Sequence, residues 1–149
     1  MSNGCLVTGG AGFIGCALSR PLAERFDRVV ALDNLQPQVH AQQVRPAALD
    51  PRVQLVVGDV ADAAVWDSLL QDFQPQVIIH LAAETGTGQS LREATRHSRT
   101  NVLGTTQMTD ALARREAIPQ KIILTSSRAV YGEGRWRDQE GNFRYPGTV

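Results

Sequence analysis

The stretch "LVTGGAGFIG", residues 6–15, decides the fold. An apolar strand, residues 5–8, runs directly into four glycines within seven positions: Gly9, Gly10, Gly12 and Gly15. Phe13, Ile14, Ala17, Leu18 and Leu22 then recur at helical spacing. A strand that ends in glycine and reopens as a helix brings backbone unusually close to something else. Pro21 lies inside this helix, where it removes a hydrogen bond; nothing in the sequence explains how it is accommodated.

Outward from this turn, the same unit repeats. "RVVALD" (28–33), "VQLVVGDV" (53–60), "QVIIHLAA" (76–83) and "KIILTSS" (121–127) read as further strands. Residues 35–50, rich in Gln, Ala and Pro, predict at most a short, weak helix. Ala63, Trp66, Leu69, Leu70 and Phe73 form one helical stripe, with Asp62 as N-cap and Pro75 as terminator. A long helix is expected over about residues 89–116. The strands are continuous apolar runs, the signature of a parallel sheet covered on both faces. Right-handed crossovers then give a doubly wound α/β, Rossmann-type sheet of order 3-2-1-4-5. This dinucleotide-binding domain spans residues 1–131. Residues 132–149 are polar and turn-rich and read as a loop or hairpin leading elsewhere.

Bulk composition excludes several functions. The 149 residues carry no net charge, so no basic field is available for nucleic acid or an anionic membrane surface. No apolar stretch approaches the length of a membrane span, and the N-terminus carries no signal-peptide pattern. Cys5 and Cys16 are expected as free, buried thiols in a reducing cytoplasm.

Gly9, Gly12 and Gly15 form G-x-x-G-x-x-G between strand and helix. In that place one glycine permits the turn, one admits a pyrophosphate, and one lets helix and strand pack. The helix N-terminus offers free N–H groups to the phosphates. A glycine triplet alone also reads as a tight βα turn; the strand, the helix and the acid that follow make the difference. Asp33 ends the second strand, where a carboxylate accepts hydrogen bonds from both adenosine ribose hydroxyls and repels a 2′-phosphate. NAD is therefore favoured over NADP. Asp59 ends the third strand and is placed to take the adenine amino group, with Val60 donating its backbone N–H. At either position an ordinary strand-end turn residue is the plainer alternative.

The pieces "TGGAGFIG" (8–15), "LDNL" (32–35), "GDV" (58–60), "HLAA" (80–83), "NVLGT" (101–105) and "TSSRAVYG" (125–132) together resemble the extended short-chain dehydrogenase/reductases of the NAD-dependent epimerase/dehydratase family. The resemblance implies a cofactor site: Gly9, Gly12, Phe13 and Ile14 at the pyrophosphate, and Asp33 and Asn34 at the adenosine ribose. It places Asp59 and Val60 at the adenine and Leu81, Ala82 and Ala83 along the cofactor. Asn101 supports the site from the long helix, and Thr125 lies near the nicotinamide. Ser127 matches the residue that hydrogen-bonds the reacting sugar oxygen. His80 reads as structural, and no metal site is expected. The implied reaction is hydride transfer between NAD and a sugar carbon on a nucleotide diphosphate, in a homodimer, without nucleic acid or membrane. Such enzymes work in bacterial surface-polysaccharide synthesis.

The family's base is a tyrosine in a Tyr-x-x-x-Lys pair, and this pair is missing. The sole lysine, Lys121, sits on a strand. Tyr131 is followed four residues later by Arg135, which keeps its charge differently from an ammonium. The expectation is that the pair and the sugar-binding region lie beyond residue 149. Where dehydratases carry an Asp-Glu pair, this chain has Arg128 and Ala129. That favours a 4-epimerase over a 4,6-dehydratase, and "AAETGTGQS" (82–90) looks most like epimerases acting on dTDP-linked rhamnose. A reductase using NADP lacks the basic residue it needs beside Asp33. A dinucleotide-binding scaffold without turnover is the alternative of another class.

Overall fold

The computed structural model describes residues 3–127, 130 and 134–144. Strands β1 (Gly4–Thr8), β2 (Arg28–Asp33), β3 (Gln54–Val57), β4 (Val77–His80) and β5 (Lys121–Leu124) form one sheet of order β3-β2-β1-β4-β5. All its pairings are parallel, with Val7 opposite Ala31 on one side and Ile79 on the other. The expected Rossmann-type order is the observed one. The strands are shorter than their apolar runs suggest: β3, β4 and β5 each hold four residues. The residues beyond them leave the ladder to form the loops of the site.

Because successive side chains point to opposite faces, strands β1 to β4 each contribute to two cores. Leu6, Val30, Leu32 and Ile78 pack under helices α2 (Ala63–Asp72) and α5 (Gly104–Arg114), against Trp66, Leu69, Leu70, Met108 and Leu112. Cys5, Val7, Val29, Ala31 and Ile79 pack on the opposite face, against Leu22 and Ala23 of helix α1 (Phe13–Arg25) and Phe26 just beyond it. Cys5 lies in this second core, and burial pushes its thiol up to about 11. Both cysteines are free, Cys5 buried and Cys16 partly buried.

Local chemistry sets the helix ends. Asp62 caps α2, its carboxylate accepting from the Ala64 N–H at 2.9 Å. Pro21 in α1 also finds its explanation. It and Ala17, whose carbonyl loses its partner, both stand on the exposed face, so water can satisfy that carbonyl. On the other face Ser19 is buried. Its hydroxyl donates to the Cys16 carbonyl at 2.7 Å and accepts from the Asp50 N–H at 3.0 Å. This ties the irregular segment 34–53 to α1; among the described residues that segment forms no helix.

The single helix expected over 89–116 is instead three short helices and a wide turn. Helix α3 (Thr87–Ser90) and helix α4 (Ala94–Ser98) are separated by Glu93, whose backbone is not helical. A π-helical turn, Arg99–Leu103, then leads into α5. Its physical cause is tertiary: the turn brings Asn101 onto the β4 loop, as described below. Residues 136–137 and 143–144 form a small antiparallel hairpin, β6 and β7. Among the described residues β5 is the last strand of the sheet, and its Ile122, Ile123 and Leu124 are 43%, 45% and 59% exposed.

Gly15 is where α1 touches the first turn. A Cβ there would collide with the Gly10 carbonyl, in backbone that has no room to yield. Gly15→Ala is expected to destabilise the chain by about 3 kcal/mol, measured as a lowered urea midpoint. An unchanged midpoint would mean that the helix is not seated this tightly.

Candidate functional site

The carboxyl ends of the strands surround a groove, which two adjoining cavities form. The first, about 370 Å³, is lined by Gly9, Gly12, Phe13, Ile14, Asp33 and Asn34, with Gln36, Gln38, Val39, His40, Gly58 and Val60 around it. The second, about 570 Å³, is lined by His80, His97, Asn101, Thr105, Thr125 and Ser127. Ala82, Ala83, Glu84 and Thr85 line both, so the groove continues from the β2 end of the sheet to β5. Leu81 lines the first.

The glycine turn shapes its floor. Gly9 adopts φ +65°, and a Cβ on it would stand 2.8 Å from the Ala82 nitrogen. Only glycine meets both conditions. Gly12 precedes α1 and carries no side-chain cap, and the first turn of the helix has no acid. The free N–H groups there keep their positive field facing the cavity, which suits a phosphate. Phe13 is 91% exposed at this lip.

Asp33 fastens two loops. One carboxylate oxygen accepts from the Ala11 N–H at 3.0 Å and the other from the Leu35 N–H at 2.9 Å. The carboxylate is buried, yet it lines the cavity and has lone pairs left for ribose hydroxyls. The second bond holds Leu35, whose φ is +49°, in a conformation uncommon outside glycine. Across the cavity mouth, Gln38 on the β2 loop reaches Gln89 on α3, 3.3 Å away.

Asp59 stands at the edge of this cavity. Asp59 does not line the first cavity; its neighbours Gly58 and Val60 do. Its carboxylate accepts from the Ala61 N–H at 2.8 Å and stands 3.5 Å from Arg99. That side chain is drawn toward Arg99, which leaves Val60 to face the cavity. Trp66 fixes Val60 in place: its indole N–H donates to the Val60 carbonyl at 2.7 Å. The sequence shows Trp66 only as a core residue, so this second role had no signal.

His80 holds the second cavity together. Its Nδ1 lies 2.7 Å from the Thr8 hydroxyl and its Nε2 lies 3.1 Å from the Thr105 hydroxyl. Thr105 donates to the Asn101 carbonyl, so it must accept from Nε2–H. Thr8 accepts from the Ala82 N–H and can give its own proton to Nδ1. The neutral ring with its proton on Nε2 satisfies every bond of the chain. Burial acts in the same direction and lowers the His80 pKa. The His80 carbonyl in turn accepts from the Thr125 hydroxyl at 3.0 Å. His80 is thus structural, joining β1, β4, β5 and α5.

Asn101 acts as a clamp on the groove wall. Its amide oxygen accepts from the Glu84 N–H at 2.8 Å and its amide nitrogen donates to the Glu84 carbonyl at 3.1 Å. The Glu84 carboxylate stands 3.5 Å from Arg96, which also pairs with Glu93 at 2.9 Å. Arg128, Ala129, Tyr131 and Tyr145, on which the sequence argument about catalysis rests, lie outside the described residues. Among the described residues, no group of three or more His, Cys, Asp or Glu is placed to hold a metal ion, and no helix is long and apolar enough to cross a membrane.

With this geometry in view, the sequence pattern of the NAD dependent epimerase/dehydratase family matches residues 5–147. The chain belongs to that family. Within it, the chain is 62% identical to a dTDP-L-rhamnose 4-epimerase of Burkholderia thailandensis over 95% of its own length and 39% of the relative's. It is 35% identical to a dTDP-glucose 4,6-dehydratase of Streptomyces antibioticus, over 91% of the chain and 41% of the relative. Among solved structures, the UDP-glucose 4-epimerase of Brucella ovis in complex with NAD superposes with a TM-score of 0.74 at 32% identity, over 88% of this chain and 38% of that one. The chain spans 30–41% of the length of the curated relatives it matches.

The His80 network yields a pH prediction. The folded-state pKa lies below the ordinary histidine value, so the unfolded chain takes up the proton first as pH falls. Stability from this site is full above about pH 6.5 and declines below it. Urea midpoints taken from about pH 8 to about pH 5 should fall more steeply for the wild type than for His80→Gln. Equal slopes would remove His80 as the titrating group.

Proposed function

We propose that this chain forms the cofactor-binding part of an NAD-dependent nucleotide-sugar 4-epimerase acting on a dTDP-linked 6-deoxyhexose. The observation that carries the reading is the continuous groove, with Asp33 at one end, Ser127 at the other and the glycine turn beneath. The 62% identity to a dTDP-L-rhamnose 4-epimerase supports the choice of sugar. In this reading Gly9, Gly12, Phe13 and Ile14 receive the pyrophosphate, Asp33 and Asn34 the adenosine ribose, and Val60 the adenine. Asp59, which also stands 3.5 Å from Arg99, joins Val60 at the adenine end. Leu81, Ala82 and Ala83 run along the dinucleotide, with Asn101 holding that wall through Glu84.

NAD, when bound, supplies a reversible hydride acceptor. The chain's own residues bind and orient. Thr125 secures the end of β5 to His80, and the segment after that strand brings Ser127 to the second cavity. In this reading its hydroxyl hydrogen-bonds the sugar oxygen that gains and loses a proton. The tyrosine base and its lysine belong to the region the relatives have beyond this chain's span. A second copy is proposed to pack on the exposed Val102 and Leu103 of the π-helical turn.

The full-length protein should interconvert dTDP-L-rhamnose and its C4 epimer, followed by proton NMR; an unaltered spectrum with NAD present would exclude this activity. Asp33→Ala should weaken NAD binding at least tenfold, about 1.4 kcal/mol, by calorimetric titration. Unchanged affinity would overturn the ribose assignment.

A further inference from the structure

Beside Asp33 stands a residue that no sequence pattern singles out. His40 comes from the loop after β2. Its backbone is set by a turn in which its N–H donates to the Gln36 carbonyl at 2.9 Å and its carbonyl accepts from the Gln43 N–H at 3.0 Å. The side chain is only 10% exposed, yet the residue lines the first cavity. Its Nε2 faces an Asp33 carboxylate oxygen at 3.7 Å.

That separation is too long for a direct hydrogen bond. It does suit one oxygen seated beside the pair, off the line that joins them, at ordinary hydrogen-bond distance from each. The Asp33 oxygen already accepts the Leu35 N–H and has a lone pair left. An atom bridging the pair must donate to the carboxylate and accept from the imidazole N–H. A hydroxyl does both; an ether, a methylene or a phosphate oxygen does not.

We infer that His40 and Asp33 together form a two-armed clamp for one hydroxyl of the adenosine ribose, with Asp33 accepting its proton and His40 donating to its oxygen. This rests on the NAD reading above and deepens it. The clamp makes the site selective for a hydroxyl at that position, beyond the simple repulsion of a 2′-phosphate by Asp33. It also explains why an imidazole is held against a carboxylate without bonding to it.

The test uses the full-length, cofactor-free protein with three probes: NAD, and its analogues lacking the 2′- or the 3′-hydroxyl of the adenosine ribose. For the wild type, one analogue should bind about tenfold more weakly than NAD. In His40→Ala, NAD itself should weaken by about that factor, and the difference between NAD and that analogue should shrink to about twofold or less. His40→Gln, which restores an N–H donor, should recover part of the discrimination. The ratio of affinities within one variant does not depend on how much of it is folded. If His40→Ala weakens NAD and the analogues equally, or changes nothing, the clamp is wrong while NAD binding stands. If the wild type binds none of the three, the cofactor reading fails, and the clamp with it.

Discussion

One buried carboxylate joins the parts of this molecule that matter for binding. Asp33 holds the backbone of the glycine turn through Ala11 and that of the next loop through Leu35. Each bond alone is an ordinary charge-assisted contact. Together they fix the two walls of the first cavity relative to one another, at the edge where β1 and β2 lie in register. The group that holds the cavity open is also the group best suited to read what enters it. Structure and recognition are therefore hard to separate at this position.

The second cavity depends on an uncharged equivalent. His80 links four elements through hydroxyl groups whose donors and acceptors run in one direction, from the Ala82 N–H to the Asn101 carbonyl. Neighbouring residues then pass the order along. Asn101 fixes Glu84, and Thr125 fixes the start of the segment that holds Ser127. A network of this kind does more than its individual bonds suggest, because no member can turn without leaving another unsatisfied.

Much of this was legible in the sequence. The five apolar runs, the glycine turn and Asp33 follow from strand periodicity and from the conformations that only glycine adopts. The N-cap at Asp62 was equally plain. What escaped has a common cause. The π-helical turn carries Asn101 to Glu84, a contact that no local spacing encodes. Asp59 turns toward Arg99, forty residues away along the chain. Ser19, Trp66 and His40 read as an ordinary helix residue, a core residue and a loop residue. Each acquires its role from a partner that only the fold brings near. The accommodation of Pro21 also needed the fold, since it depends on which face of α1 meets water.

The two central strands have a consequence for the groove as a whole. β1 and β2 are buried along nearly their whole length and end side by side beneath the glycine turn and Asp33. Their side chains feed the cores on both faces of the sheet. The floor of the first cavity is therefore backbone held from two layers at once, and its shape belongs to the whole sandwich rather than to the loops that line it.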